Sequence, residues 1–235
     1  MQDGWNESAT AWIASLGEHG DFARRFVLDQ PMLERVRAGQ FSKALDVGCG
    51  EGRFCRQLAA LGIDTRGIDP TEALIASARK AHPSGTYQVG KAEHLDFPDH
   101  SFDLVVSYLT FIDIPDIARG ISEMCRVLRP GGALLIANLN GFQTAAAPGG
   151  WRFLLNGRRS FTMDHYMQER ADWVGWKGIK VQNWHRPMSA YFKLLRDQGL
   201  QLSYFDEPLP SGGDPARVAR FKRVPYFHIM EWRKK

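Results

Sequence analysis

The chain has 235 residues, of which 44% are hydrophobic, and it carries a formal net charge of +4. This length and hydrophobic content are typical of one α/β domain with an insertion. No apolar run approaches the roughly twenty residues of a membrane span, and the first residues lack the basic and apolar regions of a secretory signal. We therefore expect a cytoplasmic protein without a membrane span.

The basic residues and the cysteines argue against two further classes of protein. Basic residues are scattered along the chain, apart from Arg158-Arg159, a loose group from Arg217 to Arg223 and the tail Arg233-Lys234-Lys235, so nucleic-acid binding has little support from the charge. Cys49, Cys55 and Cys125 lack the spacing of metal ligands. We expect three reduced thiols and no metal site.

Strands and helices alternate from Lys43 onward. Seven strands are predicted, over residues 43–47, 64–68, 86–89, 102–106, 133–139, 200–205 and 226–232. Helices are predicted over residues 53–61, 71–83, 116–128 and 189–199, with Thr71 and Asp116 as N-caps of the second and third. This alternation implies right-handed crossovers and a parallel sheet that binds ligands at the carboxyl ends of its strands.

The loop after the first strand is the most informative segment. It reads Ala44-Leu45-Asp46-Val47-Gly48-Cys49-Gly50-Glu51-Gly52-Arg53-Phe54. Glycines at alternate positions let the loop backbone lie against a ligand, and the helix that follows leaves amide donors pointing outward. The G-x-G-x-G spacing differs from the G-x-G-x-x-G of dinucleotide folds. Asp46 and Glu51 would repel a pyrophosphate but attract a ligand that carries an ammonium or sulfonium group.

The second strand brings a further acid to the same edge of the sheet. Asp69 ends that strand, where a carboxylate can accept hydrogen bonds from both ribose hydroxyls. A ligand with a ribose, a cationic group and no phosphate matches S-adenosylmethionine. Asp46, Asp69, Ala92 and Ser107 all fall at predicted strand ends, so we expect them to converge on one edge.

These segments resemble the class I S-adenosylmethionine-dependent methyltransferases, and within them the branch that modifies small molecules, similar to the quinone-biosynthesis methyltransferases. The further landmarks are Gln88-Val89-Gly90-Lys91-Ala92-Glu93-His94-Leu95, Asp99-His100-Ser101-Phe102-Asp103-Leu104-Val105-Val106-Ser107 and Arg126-Val127-Leu128-Arg129-Pro130-Gly131-Gly132. The resemblance is strong over about residues 45–138. It implies a Rossmann-like, doubly wound α/β sheet of seven strands in the order 3-2-1-4-5-7-6, with strand 7 antiparallel.

The resemblance also implies one methyltransferase domain over residues 1–235. Its parts are an N-terminal helical lid (1–41), a cofactor-binding core (42–139), a substrate-lid insertion after strand 5 (140–187) and the C-terminal part of the sheet (188–235). The insertion is rich in tryptophan, including Trp151 and Trp176. These rings would form either apolar walls for an acceptor or a small satellite core.

Residues that match the cofactor-binding motifs of the family are carried over one by one. The glycine loop would contact the methionine part of the cofactor, the acid after the second strand its ribose, and the turn after the third strand its adenine. The implied cofactor-binding residues are Asp46, Gly48, Cys49, Gly50, Gly52, Asp69, Pro70, Ala92, Glu93, Ser107 and Arg25. Arg25, on the N-terminal lid, can pair with the cofactor carboxylate. Lys91 replaces an aspartate of many relatives and cannot accept from the adenine amino group, so either Glu93 substitutes or that hydrogen bond is absent.

The implied activity is in-line transfer of a methyl group from S-adenosylmethionine to a small organic acceptor, which leaves S-adenosylhomocysteine. A general base is needed only where the acceptor loses a proton. The candidates are His185, Tyr108 and His165, followed by His94 and Asp113. The sequence does not indicate the acceptor, the atom that is methylated or the oligomeric state.

Two other functions stay open on the same fold, namely RNA or protein methylation and binding of S-adenosylmethionine without catalysis. Enzymes that methylate amino groups of nucleic acids usually carry an Asn/Asp-Pro-Pro-aromatic motif after the fourth strand. This chain reads Ser107-Tyr108-Leu109-Thr110 there. The glycine spacing and Glu51 also disfavour a nicotinamide dehydrogenase.

Overall fold

The computed structural model describes residues 3–17, 19–146 and 150–235. Within these ranges the helices are α1 (Trp5–Leu16), α2 (Asp29–Gly39), α3 (Arg53–Ala60), α4 (Glu72–Ala81), α5 (Ile117–Val127), α6 (Gly141–Ala145), α7 (Met188–Asp197) and α8 (Pro215–Phe221). The strands are β1 (Lys43–Val47), β2 (Asp64–Asp69), β3 (Thr86–Val89), β4 (Phe102–Tyr108), β5 (Leu128–Leu139), β6 (Trp151–Phe153), β7 (Arg159–Phe161), β8 (Arg170–Trp176), β9 (Ile179–His185), β10 (Leu200–Asp206) and β11 (Phe227–Lys234). A π-helical turn, Arg24–Leu28, leads into α2.

Among the described residues, one mixed sheet has seven strands in the order β3-β2-β1-β4-β5-β11-β10. Strands β1 to β5 run parallel to one another. Strand β11 lies between β5 and β10 and is antiparallel to both. Since β10 and β11 are the sixth and seventh strands of this sheet, the predicted order 3-2-1-4-5-7-6 with an antiparallel last strand is confirmed.

Two apolar clusters cover the two faces of this sheet because neighbouring strand residues point to opposite sides. On one face, strand residues such as Val105 and Ile136 pack with Ile121 of α5. On the other, the adjacent strand residues Leu104 and Leu135 pack with the helices before β1 and β2. The central strands are therefore buried on both faces, which is why they read as continuous apolar runs.

Most of the predicted boundaries hold within a few residues, and the differences have local causes. Asp116 caps α5, since its carboxylate accepts a hydrogen bond from the Arg119 amide at 3.0 Å. Thr71 precedes α4, but its side chain makes no capping hydrogen bond. Strand β5 begins at Leu128 rather than at residue 133 and passes through Gly131, where φ is +77°.

The insertion contains structure that the sequence pattern did not predict. It holds α6 and two hairpins, β6–β7 and β8–β9. The turn between β8 and β9 places both Lys177 and Gly178 at positive φ, as a tight hairpin requires. Helix α8 was also missed, although Asp214 caps it by accepting from the Arg217 amide.

Helix α1 and the β8–β9 hairpin join above the carboxyl edge of the central sheet. The Gln182 amide donates to the Asp3 carbonyl at 2.8 Å. The Ser8 hydroxyl donates to the Lys180 carbonyl at 3.1 Å and accepts from the Lys180 amide at 3.0 Å. The N-terminal helix and the insertion thus form one cover over the strand ends. No helix in the described part of the chain has both the length and the apolar character to cross a bilayer.

Candidate active site

A cavity of about 560 Å³ lies at the carboxyl ends of the central strands, beneath the cover formed by α1 and the β8–β9 hairpin. Its floor is built by the loops that follow β1, β2, β3 and β4. The residues that line its wall include Trp5, Trp12, Arg24, Asp46, Gly48, Cys49, Gly50, Asp69, Pro70, Lys91, Ala92, Glu93, Tyr108, Thr110, Asp113, Trp176 and Asn183. Four predicted strand-end loops therefore do converge on one site.

The glycine loop after β1 crosses the end of β2. The amides of Gly48 and Cys49 both donate to the Ile68 carbonyl, at 2.8 and 2.9 Å. Gly48 and Gly50 have φ of +76° and +55°, a region that glycine enters without steric cost. A Cβ on Gly50 would have Trp12 as its nearest neighbour, at 3.8 Å. That face of the loop backbone is open toward the cavity.

The other two glycines of the motif have packing roles. A Cβ on Gly52 would lie 2.7 Å from the Tyr87 ring, and the residue precedes α3 rather than lining the cavity. A Cβ on Gly48 would overlap the side chain of Thr110. Because Thr110 is β-branched and stiff at χ1, it cannot easily move away.

Replacing Gly48 with alanine is expected to destabilise the fold more than replacing Gly62. Gly62, after α3, also has positive φ (+81°), but nothing lies within 4 Å of an added Cβ. Both changes incur backbone strain of about 1–2 kcal/mol, and only Gly48→Ala adds overpacking of about 1–3 kcal/mol. Chemical denaturation of the two variants measures the difference. Equal losses of stability would mean that the loop and Thr110 separate readily.

Asp69 ties the loops after β1 and β2 together. Its Oδ2 accepts from the Gly50 amide at 3.0 Å, and its Oδ1 accepts from the Thr71 amide at 2.9 Å. Burial raises the pKa of this carboxyl, and the two backbone hydrogen bonds oppose that rise. Each carboxylate oxygen has a second lone pair. The residue can thus hold the loop and accept hydrogen bonds from a ligand at the same time.

Asp46 lies deeper and is 1% exposed. Its Oδ2 accepts from the Cys55 thiol at 3.3 Å, while its Oδ1 has no partner among the described residues. Burial raises the pKa of Asp46 to about 7. A cation in the cavity would favour the ionised carboxylate. The carboxylate oxygens at this end of the cavity therefore fit an ammonium or sulfonium group.

The N-terminal segment contributes Arg24 to the cavity wall, and not the predicted Arg25. The Arg24 guanidinium lies 4.8 Å from the centre of the Trp12 ring and pairs with Asp21 at 3.0 Å. Arg25 lies over Phe26 and borders a separate surface depression. Arg24 and Arg25 are consecutive residues of the π-helical turn and so point in different directions, and of the two only Arg24 lines this cavity.

The remaining predicted cofactor contacts divide into two groups. Cys49, Pro70, Ala92 and Glu93 line the cavity, as does Lys91. Ser107 does not, because its side chain is fully buried within the sheet. The contact predicted for Ser107 involves its backbone carbonyl and stays a prediction.

The histidine candidates for a general base are not on the cavity wall. His185 is buried, and its two ring nitrogens lie 2.7 Å from Thr144 Oγ1 and 2.9 Å from the Tyr166 carbonyl. It links α6 to the end of β9, and burial lowers its pKa. His165 is exposed on the insertion, and His94 also lies off the wall. The prediction of a base at His185 or His165 therefore does not match the geometry.

Tyr108 reaches the cavity but is held in its neutral form. Its hydroxyl donates to Asp29 Oδ1 at 2.8 Å, and Asp29 also pairs with Arg53. Burial raises the pKa of Tyr108 well above its usual value. A phenol in that state positions neighbouring groups but accepts no proton near neutral pH.

Asp113 is the candidate base that the cavity does contain. Asn183 Nδ2 donates to its Oδ1 at 2.7 Å, which connects the loop after β4 to β9. Burial raises the pKa of Asp113 well above its usual value, against the hydrogen bonds from Trp5 and Asn183. Because burial raises its pKa, an ionised Asp113 would be a stronger base than an ordinary carboxylate.

Comparison with known proteins agrees with this arrangement. Residues 45–136 match a family described as a methyltransferase domain. A malonyl-[acyl-carrier protein] O-methyltransferase of Erwinia billingiae is 34% identical over 116 residues, which cover 49% of this chain and 45% of that protein. A ubiquinone biosynthesis O-methyltransferase of Paramagnetospirillum magneticum is 31% identical over 187 residues, which cover 76% of this chain and 66% of that protein. The chain spans about half the length of the first curated relatives it matches.

The three-dimensional comparison covers more of the molecule. The crystal structure of an S-adenosylmethionine-dependent methyltransferase from Mesorhizobium loti is 28% identical, with a TM-score of 0.77 over 88% of this chain and 97% of that one. The chain belongs to the class I S-adenosylmethionine-dependent methyltransferases. The cavity contains the glycine loop and the two acids at strand ends, Asp46 and Asp69, that the resemblance to this family implied.

Several residues of the cavity wall were missed in the sequence, namely Trp12, Thr110 and Asn183. Thr110 follows β4, a position at which a polar residue is informative in a parallel sheet. Trp12 and Asn183 carry no such local signal, because only the pairing of α1 with β9 brings them over the strand ends.

Proposed function

We propose that this protein transfers the methyl group of S-adenosylmethionine to a small organic acceptor. The carboxylates of Asp46 and Asp69 beside an open glycine backbone carry this proposal. They provide acceptors for a ribose and for a cationic group, and the loop has no cluster of basic residues for a pyrophosphate. S-adenosylmethionine supplies an activated methyl group on sulfur, so catalysis requires mainly alignment and exclusion of water.

Each proposed cofactor contact uses a group whose chemistry suits it. Asp69 would accept from the ribose hydroxyls, and the backbone at Gly48 and Gly50 would contact the methionine part. Arg24 would donate to the cofactor carboxylate in place of Arg25. Ala92, Glu93 and Pro70 would border the adenine and its sugar. Lys91 cannot accept from the adenine amino group, so we assign no hydrogen bond to it there.

The acceptor would lie between the glycine loop and the aromatic cover. Trp5, Trp12 and Trp176 line this region and would exclude water from the reacting atoms. We assign residues 1–41 and 140–187 as lids on this basis. Trp151 does not line the cavity. Its indole Nε1 instead donates a hydrogen bond of 2.8 Å to the Tyr226 hydroxyl.

We further propose that the methylated atom is an oxygen and that Asp113 takes the proton. The support is the placement of Asp113 on the wall beside Asn183, together with the O-methyltransferase names of the relatives. An ionised Asp113 would deprotonate a hydroxyl, such as a phenol, as its oxygen attacks the methyl carbon and the sulfur leaves as S-adenosylhomocysteine. Positioned general bases typically contribute 10²- to 10⁴-fold to a rate.

Thermal unfolding with added nucleotides tests the cofactor assignment. S-adenosylmethionine and S-adenosylhomocysteine, each at about one hundred times its Kd, are expected to stabilise the protein by about 2.7 kcal/mol. NAD at the same concentration is the control and is expected to have no effect. A shift with NAD, or none with either sulfur nucleotide, would contradict the proposed function.

A further inference from the structure

One surface outside the residues assigned to catalysis combines exposed apolar and basic side chains. It consists of residues 151–161, which form the β6–β7 hairpin, and residues 215–223, which contain α8; we call it the hairpin–α8 surface. Near the hairpin turn, Phe153, Leu154 and Leu155 have exposed fractions of 73%, 46% and 111%. Large apolar side chains grouped at one exposed tip indicate an interaction site.

The charge of this surface is uniformly positive. Its two segments contain seven arginines and lysines and no aspartate or glutamate. The seven are Arg152, Arg158, Arg159, Arg217, Arg220, Lys222 and Arg223. All are exposed, and none forms an ion pair with a described residue. The adjacent Asp214 is engaged as the N-cap of α8.

The hairpin and α8 are fixed to each other at the base. Arg223 Nη2 donates to the Arg159 carbonyl at 2.7 Å, and its guanidinium lies 4.6 Å from the centre of the Trp151 ring. Trp151 in turn bonds to Tyr226, just before β11. At the tip, the Gly157 amide donates to the Leu154 carbonyl at 2.9 Å and closes the turn. The exposed apolar residues of the turn therefore project from a base of arginines whose position is fixed by these contacts.

We propose that the hairpin–α8 surface binds anionic lipid bilayers. Phe153 and Leu155 would insert between the lipids, while the seven cations would lie against their phosphates. A second copy of the chain would place cations opposite cations, which is unfavourable. Single-stranded nucleic acids are bound by aromatic rings that stack on bases. Of the tip side chains only Phe153 is aromatic, and the Arg159 guanidinium already lies 4.4 Å from the centre of its ring. This inference goes beyond the proposed function and does not depend on it.

The surface also borders one end of the cavity. Arg217 of α8 and Phe227 at the start of β11 both line the cavity wall. A bilayer bound at the hairpin–α8 surface would therefore lie close to that end of the site.

Sedimentation with lipid vesicles tests the proposal on the full chain. The protein is expected to sediment with vesicles that contain phosphatidylglycerol and not with pure phosphatidylcholine, and added salt is expected to weaken binding. The double variant Phe153→Ser/Leu155→Ser is expected to partition at least about tenfold more weakly. Arg158→Gln/Arg159→Gln is expected to lose about 30-fold, since each basic residue contributes about fivefold at such a surface.

Matched controls separate this effect from general surface chemistry. Leu209→Ser removes another exposed leucine, and Lys80→Gln removes an exposed cation of α4; both are expected to bind vesicles as the unmodified protein does. Circular dichroism melts confirm that every variant is folded. The proposal is overturned by an absence of sedimentation with anionic vesicles or by hairpin variants that bind as the controls do. It is equally overturned if the hairpin variants instead abolish self-association or RNA binding and leave vesicle binding intact.

Discussion

Replacing Asp69 with alanine is expected to weaken S-adenosylmethionine binding at least about a hundredfold. The change removes the acceptor proposed for the ribose and also the two hydrogen bonds that hold Gly50 and Thr71. Hydrogen bonds to charged groups each contribute about 1.5–3 kcal/mol, and about 1.4 kcal/mol corresponds to a factor of ten in Kd. Isothermal titration calorimetry measures the loss directly.

A control on the same strand distinguishes a site effect from damage to the sheet. Asp64 opens β2 at its other end and is exposed, so Asp64→Ala is expected to bind the cofactor with unchanged affinity. Asp69→Asn keeps the shape but loses the charge and one acceptor, and an intermediate affinity is expected. If Asp69→Ala bound S-adenosylmethionine as tightly as Asp64→Ala, the ribose assignment would be wrong.

The core of this fold could be predicted because each of its units is encoded locally. A buried parallel strand is an apolar run that stops at a polar residue, and a helix follows within a few positions. Asp46 and Asp69 each mark such a stop. Since parallel strands bring their carboxyl ends to one edge, local signals were enough to assemble the floor of the cavity. The place of β11 between β5 and β10 came from family resemblance, because it depends on pairing with a distant strand.

The cover of the cavity could not be predicted from local patterns. Ser8 and Lys180 are 172 residues apart and exchange two hydrogen bonds, and neither residue has a neighbourhood that indicates a partner. His185 was favoured because of its aromatic neighbours and the following proline, but its nitrogens are engaged by Thr144 and Tyr166. Arg25 was assigned from its charge and its place in the N-terminal lid, but the arginine of that lid on the cavity wall is the preceding residue, Arg24.

Replacing Asp113 with asparagine is expected to reduce methyl transfer by about 10²- to 10⁴-fold, the usual contribution of a general base. Asparagine has nearly the same shape, so cofactor affinity is expected to stay unchanged. The rate of methyl transfer by the unmodified protein should rise with pH as Asp113, whose pKa is raised, loses its proton. This rise is the acid limb of the pH–rate profile, and it should be absent from the variant. The assay follows transfer from labelled S-adenosylmethionine to phenolic acceptors, which must lose a proton to be methylated. Tyr108→Phe is the control, since a neutral phenol cannot produce the limb.

Folding stability provides a second readout that requires no acceptor. A carboxyl whose pKa is raised on folding binds its proton more tightly in the native state, so stability falls as pH rises from the unfolded pKa of about 4 through the folded value. Asp113→Asn is expected to reduce this fall, and the part due to Asp46, whose pKa is raised to about 7, should remain. Urea denaturation across this pH range measures both. If Asp113→Asn changed neither the pH dependence of stability nor the acid limb of the rate, two assignments would be wrong. Asp113 would not have a raised pKa in the folded protein, and it would not be the general base.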